Sequence, residues 1–133
     1  MKRLVLLASA GIALTLCMGG GDRAIAANST TLSVSFNWCS GTPATKVSGI
    51  PVGTKTLRFR LKDHQATGYQ HGGGEYPVSG KSVSIPCGGL KSKSYEGPSP
   101  PAGQVHDYEW IVTAVDASGS VVGTGSALRK FPQ

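Results

Sequence analysis

The chain has 133 residues, 19 glycines, 8 prolines and a formal net charge of +6. That length fits one domain, and the charge is too modest and too scattered for a nucleic-acid binder. It would help a negatively charged ligand or membrane surface approach.

Lys2 and Arg3 precede an apolar run from Leu4 to Met18, and Ala24-Ile25-Ala26 follows a few residues later. This is the layout of a secretory signal peptide, so residues 1–26 are expected to be removed. The run falls short of the roughly 20 apolar residues a membrane span needs. Lipid attachment at Cys17 is a lesser alternative, because bulky Leu16 precedes it where lipoprotein signals resemble a small residue. Loss of Lys2, Arg3, Arg23 and Asp22 takes the charge from +6 to +4. The expected destination is the periplasm or the exterior. Cys39 and Cys87 then remain, an even pair in an exported chain, and are expected to form a disulfide.

Leu32, Val34, Phe36 and Trp38 alternate with polar residues, the pattern of a half-buried strand. Residues 40–53, SGTPATKVSGIPVG, read as loop. Leu57, Phe59 and Leu61 alternate with Arg58, Arg60 and Lys62, a second strand with a basic outer face. Residues 63–80 show no period and carry His64, His71 and the triplet Gly72-Gly73-Gly74. Val83 and Ile85 mark a short third strand. Residues 88–104 form a long loop, and long loops in small domains tend to be functional or disordered.

From Val105 to Val115 the chain is apolar on both faces, as a central strand would be. Asp116–Gly119 is a turn, and Val121-Val122 opens the partner strand of a hairpin. Residues 126–133 read as strand or a single helical turn. No long amphipathic helix appears. The expected class is all-β, an antiparallel β-sandwich with few or no helices in a single domain over residues 27–133.

The loop GPSPPAGQVHDY, residues 97–108, runs into that central strand. Its prolines fix φ and limit the entropy lost on ordering. His106 and Tyr108 are two apart in a strand and so share a face. An imidazole and a phenol behind a stiff wall suit an anion, since both groups can donate hydrogen bonds. A surface histidine and a core-edge tyrosine are the bland alternative.

The segment GPSPPAGQVHDYEWIVTAVDA resembles the G-x-x-P-P-x-G…H-x-Y block of the phosphatidylethanolamine-binding protein (PEBP) family, in particular its bacterial Raf-kinase-inhibitor-like branch. TPATKVSGIPVGTKTLRFRLKDHQAT is similar to the family's S-P-x-L-x-W-S-G-V-P-x-G-T-K-S-L-x-L-x-x-x-D-P-D-A-P. The resemblance covers roughly residues 39–116 and implies a short, divergent member. Carried over residue by residue, it implies a ligand pocket at Asp63, Ala66, His71, Gly97, Pro101, His106 and Tyr108. The family's D-P-D-x-P reads Asp63-His64-Gln65-Ala66-Thr67, so the second acid and both prolines are missing.

The resemblance implies a non-enzymatic binding protein whose partner is a small anion or a phospholipid head group. An alternative is a protein-interaction module that presents the Gly97–Gly103 loop to a partner such as a protease. A hydrolase built on Asp63 and His106 is disfavoured, because no serine or cysteine stands in a G-x-S-x-G-like setting. No cofactor or metal is expected. His64, His71 and Asp63 do not follow a recognised ligand spacing.

Overall fold

In the computed structural model, residues 25–133 are described; the expected leader, up to residue 24, lies outside them. The described chain is all β. Its strands are β1 (Ile25–Thr31), β2 (Ser33–Asn37), β3 (Ala44–Ser48), β4 (Thr54–Asp63), β5 (Gly73–Pro77), β6 (Ser82–Ile85), β7 (His106–Asp116) and β8 (Val121–Phe131). They form a five-stranded sheet ordered β1-β8-β7-β4-β5 and a three-stranded sheet ordered β2-β3-β6. β1 pairs parallel with β8, and every other pairing is antiparallel. Cleavage after Ala26 would remove the Ile25–Val121 pair but leave Thr30–Gly123 and Thr31–Thr124 in place.

The alternation of apolar residues dictates which side of each strand is buried. Leu57, Phe59 and Leu61 of β4 and Tyr108, Trp110, Val112 and Ala114 of β7 join Phe36, Val47 and Ile85 of the smaller sheet in one core. Burying an aromatic or aliphatic side chain of this size contributes roughly 1.5–3 kcal/mol each. Trp110 is fully buried, stacks on Phe59 at 5.4 Å, and donates its indole N–H to Thr45 Oγ1 of β3 at 3.0 Å. That bond joins the two sheets across the core and satisfies a donor that burial would otherwise strand.

Cys39 and Cys87 are disulfide-bonded, with Cα atoms 6.0 Å apart. Cys39 follows β2 and Cys87 follows β6, the two outer strands of the small sheet. The bridge therefore clips both edges of that sheet at one end.

Two segments depart from the sequence reading, and a third, the tail, takes one of its two alternatives. Residues 40–53 are not all loop: Ala44–Ser48 is β3, with Thr45 and Val47 buried and Lys46 exposed. The aperiodic stretch 63–80 contains β5, and the ambiguous tail is strand as far as Phe131. β5 begins inside the glycine triplet, and the triplet has a steric cause. A Cβ on Gly72 would lie 2.0 Å from Ser94 O, one on Gly73 1.7 Å from Phe59 O, and one on Gly74 2.9 Å from Lys91 O. The chain next to His71 is thus pressed between β4 and residues 91–94, and only glycine fits. Gly73→Ala is expected to cost about 1–3 kcal/mol by overpacking. Urea denaturation checks it; a stability unchanged from the parent protein would contradict the packing.

Candidate functional site

β4 ends at Asp63 and β7 begins at His106. The two strands are antiparallel, with Asp63 opposite Tyr108 in register. Residues opposite each other share a face, so the carboxylate, the phenol and, two residues along, the imidazole all turn inward at one end of the core. Asp63 is 3 % exposed, His71 2 %, His106 6 % and Tyr108 0 %. Four polar side chains at such depth require partners.

Asp63 divides its two oxygens. Oδ1 accepts the main-chain N–H groups of Gln65 at 2.8 Å and Ala66 at 3.0 Å, which caps the turn leaving β4. Oδ2 accepts from His106 Nδ1 at 2.7 Å and lies 3.9 Å from His71 Nε2. The turn-capping and pocket-forming readings of Asp63 are therefore both present, one on each oxygen. Burial pushes this carboxyl up, but the bonds from His106, Gln65 and Ala66 outweigh it and hold the group below its ordinary value of 3.8. Asp63 is a carboxylate at neutral pH.

The histidines are held differently. His106 is engaged at both ring nitrogens: Nδ1 donates to Asp63, and Nε2 meets Gln104 Oε1 at 3.0 Å. His71 Nδ1 faces the carbonyl oxygens of Glu96 and Gly97, each at 3.2 Å, and must donate to them. The main chain reinforces this clamp, since Glu96 N donates to His71 O at 2.8 Å. Tyr69 packs on the His71 ring at 4.6 Å and donates its hydroxyl to Glu96 Oε2 at 2.5 Å.

Among the described residues Tyr108 is the exception to the rule of satisfied burial. Its hydroxyl lies beside Asp63 and the Ser99 main chain, yet completes a hydrogen bond of ordinary geometry with neither. Burial first, and Asp63 second, push this phenol up to about 12. It is a neutral O–H throughout the physiological range.

Above these groups is a cavity of about 230 Å³, lined by Asp63, Ala66, Tyr69, His71, Ser99, Pro101 and His106. Five of the seven ligand residues expected from the sequence line it. The other two adjoin its lining residues: Gly97 holds His71 through its carbonyl, and the Tyr108 ring packs against His71 and His106. The bland reading of His106 as a surface residue does not hold. Tyr69, Ser99 and Gln104 are site residues that the sequence reading missed; no spacing rule singles out a tyrosine in an aperiodic loop.

Two neighbours are drawn away from the cavity. His64 pairs with Glu109 at 2.9 Å on the outer face. Gln65, where the resemblance led one to look for a second acid, bonds Asp107 instead: its Oε1 accepts from Asp107 N at 2.7 Å, and its Nε2 donates to Asp107 Oδ2 at 3.0 Å.

A larger hollow of about 460 Å³ lies on the outer face of the small sheet, among Ser33, Ser35, Lys46, Ser48, Ser82 and Ser84. It is a surface of small exposed side chains with no buried polar group aimed into it. The chemistry is concentrated at the smaller cavity.

No protein-family model, curated protein or solved structure matches the chain. Among the described residues no helix is long and apolar enough to cross a membrane.

Proposed function

We propose that this is an exported, non-enzymatic binding protein of PEBP-like type, whose pocket at the ends of β4 and β7 holds a small anion or a phosphorylated head group. One observation carries the reading: the buried Tyr108 hydroxyl completes no hydrogen bond of ordinary geometry, and its neighbours Asp63, His71, Ser99 and His106 line a cavity. Leaving a buried donor unmade costs about 1–3 kcal/mol, a cost a ligand oxygen in the cavity would remove. The convergence of the seven positions named by the family resemblance supports the same conclusion. The disulfide and the leader-like N-terminus support export.

The parts have separate roles. The Tyr108 hydroxyl and the pocket-facing edge of His71 contact the ligand, and the exposed Ser99 stands at the rim. Asp63 orients His106, and Gln104 holds the far side of that ring, so His106 shapes the cavity instead of donating freely into it. Pro101 and its neighbours form the wall. The exposed Gly97–Gly103 loop also suits the alternative, a protein partner. A partner role predicts that loop substitutions abolish binding while Tyr108→Phe does not.

Titration with inorganic phosphate and with phosphoethanolamine, followed through the imidazole NMR signals, tests the reading. Saturable shifts at His71 are expected, with affinity at least about tenfold weaker in Tyr108→Phe. The same variant should be roughly 1 kcal/mol more stable than the parent without ligand, because it deletes an unsatisfied buried hydroxyl. A Tyr108→Phe protein that loses stability and binds phosphate normally would sink the assignment.

A further inference from the structure

His71 and His106 flank the same carboxylate but are not equivalent. His106 has both ring nitrogens occupied, Nδ1 by Asp63 and Nε2 by Gln104. His71 has one occupied. Its Nδ1 faces only carbonyl oxygens, those of Glu96 and Gly97, and a carbonyl can accept but never donate. The neutral ring must therefore carry its hydrogen on Nδ1 and its lone pair on Nε2. That lone pair lies at the cavity, 3.9 Å from Asp63 Oδ2.

A lone pair at this place repels an anion's oxygen. Once Nε2 takes a second proton it becomes a donor, and the ring becomes a cation between the Asp63 carboxylate and the incoming anion. We propose that the pocket takes up its anion together with a proton, and that this proton lodges on Nε2 of His71. The inference rests on the anion-pocket reading above. The proton comes from solvent, and no bond other than N–H forms.

The surroundings of His71 favour that home for the proton. From β4, Asp63 presents an ionised carboxylate. From β7, Tyr108 presents a neutral phenol, its ring edge-on at 5.4 Å, and His106 Nδ1 meets the same Asp63 oxygen at 2.7 Å. Tyr69, in the same loop as His71, covers the ring and occupies the Glu96 carboxylate of the facing segment with its hydroxyl. Asp63 alone carries negative charge at Nε2. His106 holds the same Asp63 oxygen at 2.7 Å, but an anion arriving without a proton would still meet the lone pair on His71 Nε2. His106 is a poorer home, because both its ring nitrogens already face acceptors, Asp63 Oδ2 and Gln104 Oε1, and neither offers a lone pair for a further proton.

Sulfate is the appropriate probe, since it keeps both charges across this range and brings no proton of its own. Calorimetric titration of the purified protein with sulfate, in two buffers of different ionisation heat between about pH 5 and about pH 8, reads affinity and proton uptake together. The expected result is proton uptake that rises toward one per sulfate as pH rises, with affinity falling by up to roughly tenfold per pH unit. Ring nitrogen-15 signals at fixed pH should show His71 passing to the imidazolium form as sulfate is added. His71→Gln, with an amide N–H in place of the titrating Nε2, should bind with an affinity that no longer follows pH. The parent-protein measurement stands on its own where that variant fails to fold. Sulfate bound with equal affinity at every pH and no proton uptake overturns the proton coupling while leaving the anion pocket standing. A proton gained by His106 on sulfate addition, with His71 unchanged, overturns the assignment to His71. An intact protein that binds neither sulfate nor phosphate at any pH removes both the coupling and the pocket.

Discussion

Asp63→Ala is expected to destabilise the protein by about 3–5 kcal/mol, the usual cost of breaking a buried charged pair from one side. A domain of this size would lose on the order of 15 °C or more in melting temperature. The substitution strands three donors at once: His106 Nδ1 and the main-chain N–H groups of Gln65 and Ala66. It also releases the turn that carries residues 64–66 across the start of β7. Thermal and urea denaturation read the effect. A loss below about 1 kcal/mol would show that the carboxylate is not the hub that its bonds imply.

The same group predicts an acid limit. Its folded-state value lies below the ordinary 3.8, so it binds protons less readily in the folded than in the unfolded chain. Its contribution to stability is therefore complete above that ordinary value and is lost as pH falls through the folded one. Asp63→Asn should be weaker than the parent at neutral pH, and its stability should fall less steeply on acidification below about pH 4. Parallel acid profiles for the two proteins would contradict this.

Opening the Cys39–Cys87 bridge, by reduction or by a double serine substitution, is expected to cost about 4 kcal/mol. The bond closes a loop of 48 residues in sequence separation, and a loop of that length retains much entropy when unlinked. The small sheet has three strands, and this bond links the residues that follow its two outer strands. Its buried residues Phe36, Val47 and Ile85 belong to the common core, so loosening the sheet exposes the large one as well. A fall of about 15–20 °C in melting temperature is expected. A shift of only a few degrees would mean that the two sheets hold together without the bridge.

The strands most legible in the sequence are those with large apolar residues at period two. Leu57-Phe59-Leu61 and Tyr108-Trp110-Val112 announce both their strands and their buried faces. β8 was legible only at its start. Its inward positions are Gly123, Gly125 and Ala127, opposite Ala114, Val112 and Trp110. A Cβ on Gly125 would lie 2.3 Å from Leu32 O, so the close approach of the neighbouring chain demands glycine there. The period is present in the structure but carries no hydrophobic signal. β5 is hidden by the same cause at Gly73 and Gly74. β3 is hidden because Ala44–Ser48 is short and flanked by turn residues.

At the site, His106 and Tyr108 were legible from their spacing of two in one strand and Asp63 only through the family resemblance; the β4–β7 register that brings them together shows only in the fold. His71 comes from a loop, and its place follows from the Glu96 and Gly97 carbonyls, which only the folded chain brings to it. Gln104 is likewise unremarkable in sequence, and its hold on His106 decides which histidine is open to a ligand. Gln65 stands where the resemblance led one to look for a second pocket acid, and it serves to pin the loop to Asp107.

Diffraction from crystals of the protein grown with and without inorganic phosphate tests the central claim most directly. The account predicts tetrahedral density in the 230 Å³ cavity, within hydrogen-bonding distance of Tyr108 Oη and His71 Nε2, with His106 still on Asp63 and Gln104. A cavity holding only water under saturating phosphate, with Tyr108 and His71 unmoved, would contradict it.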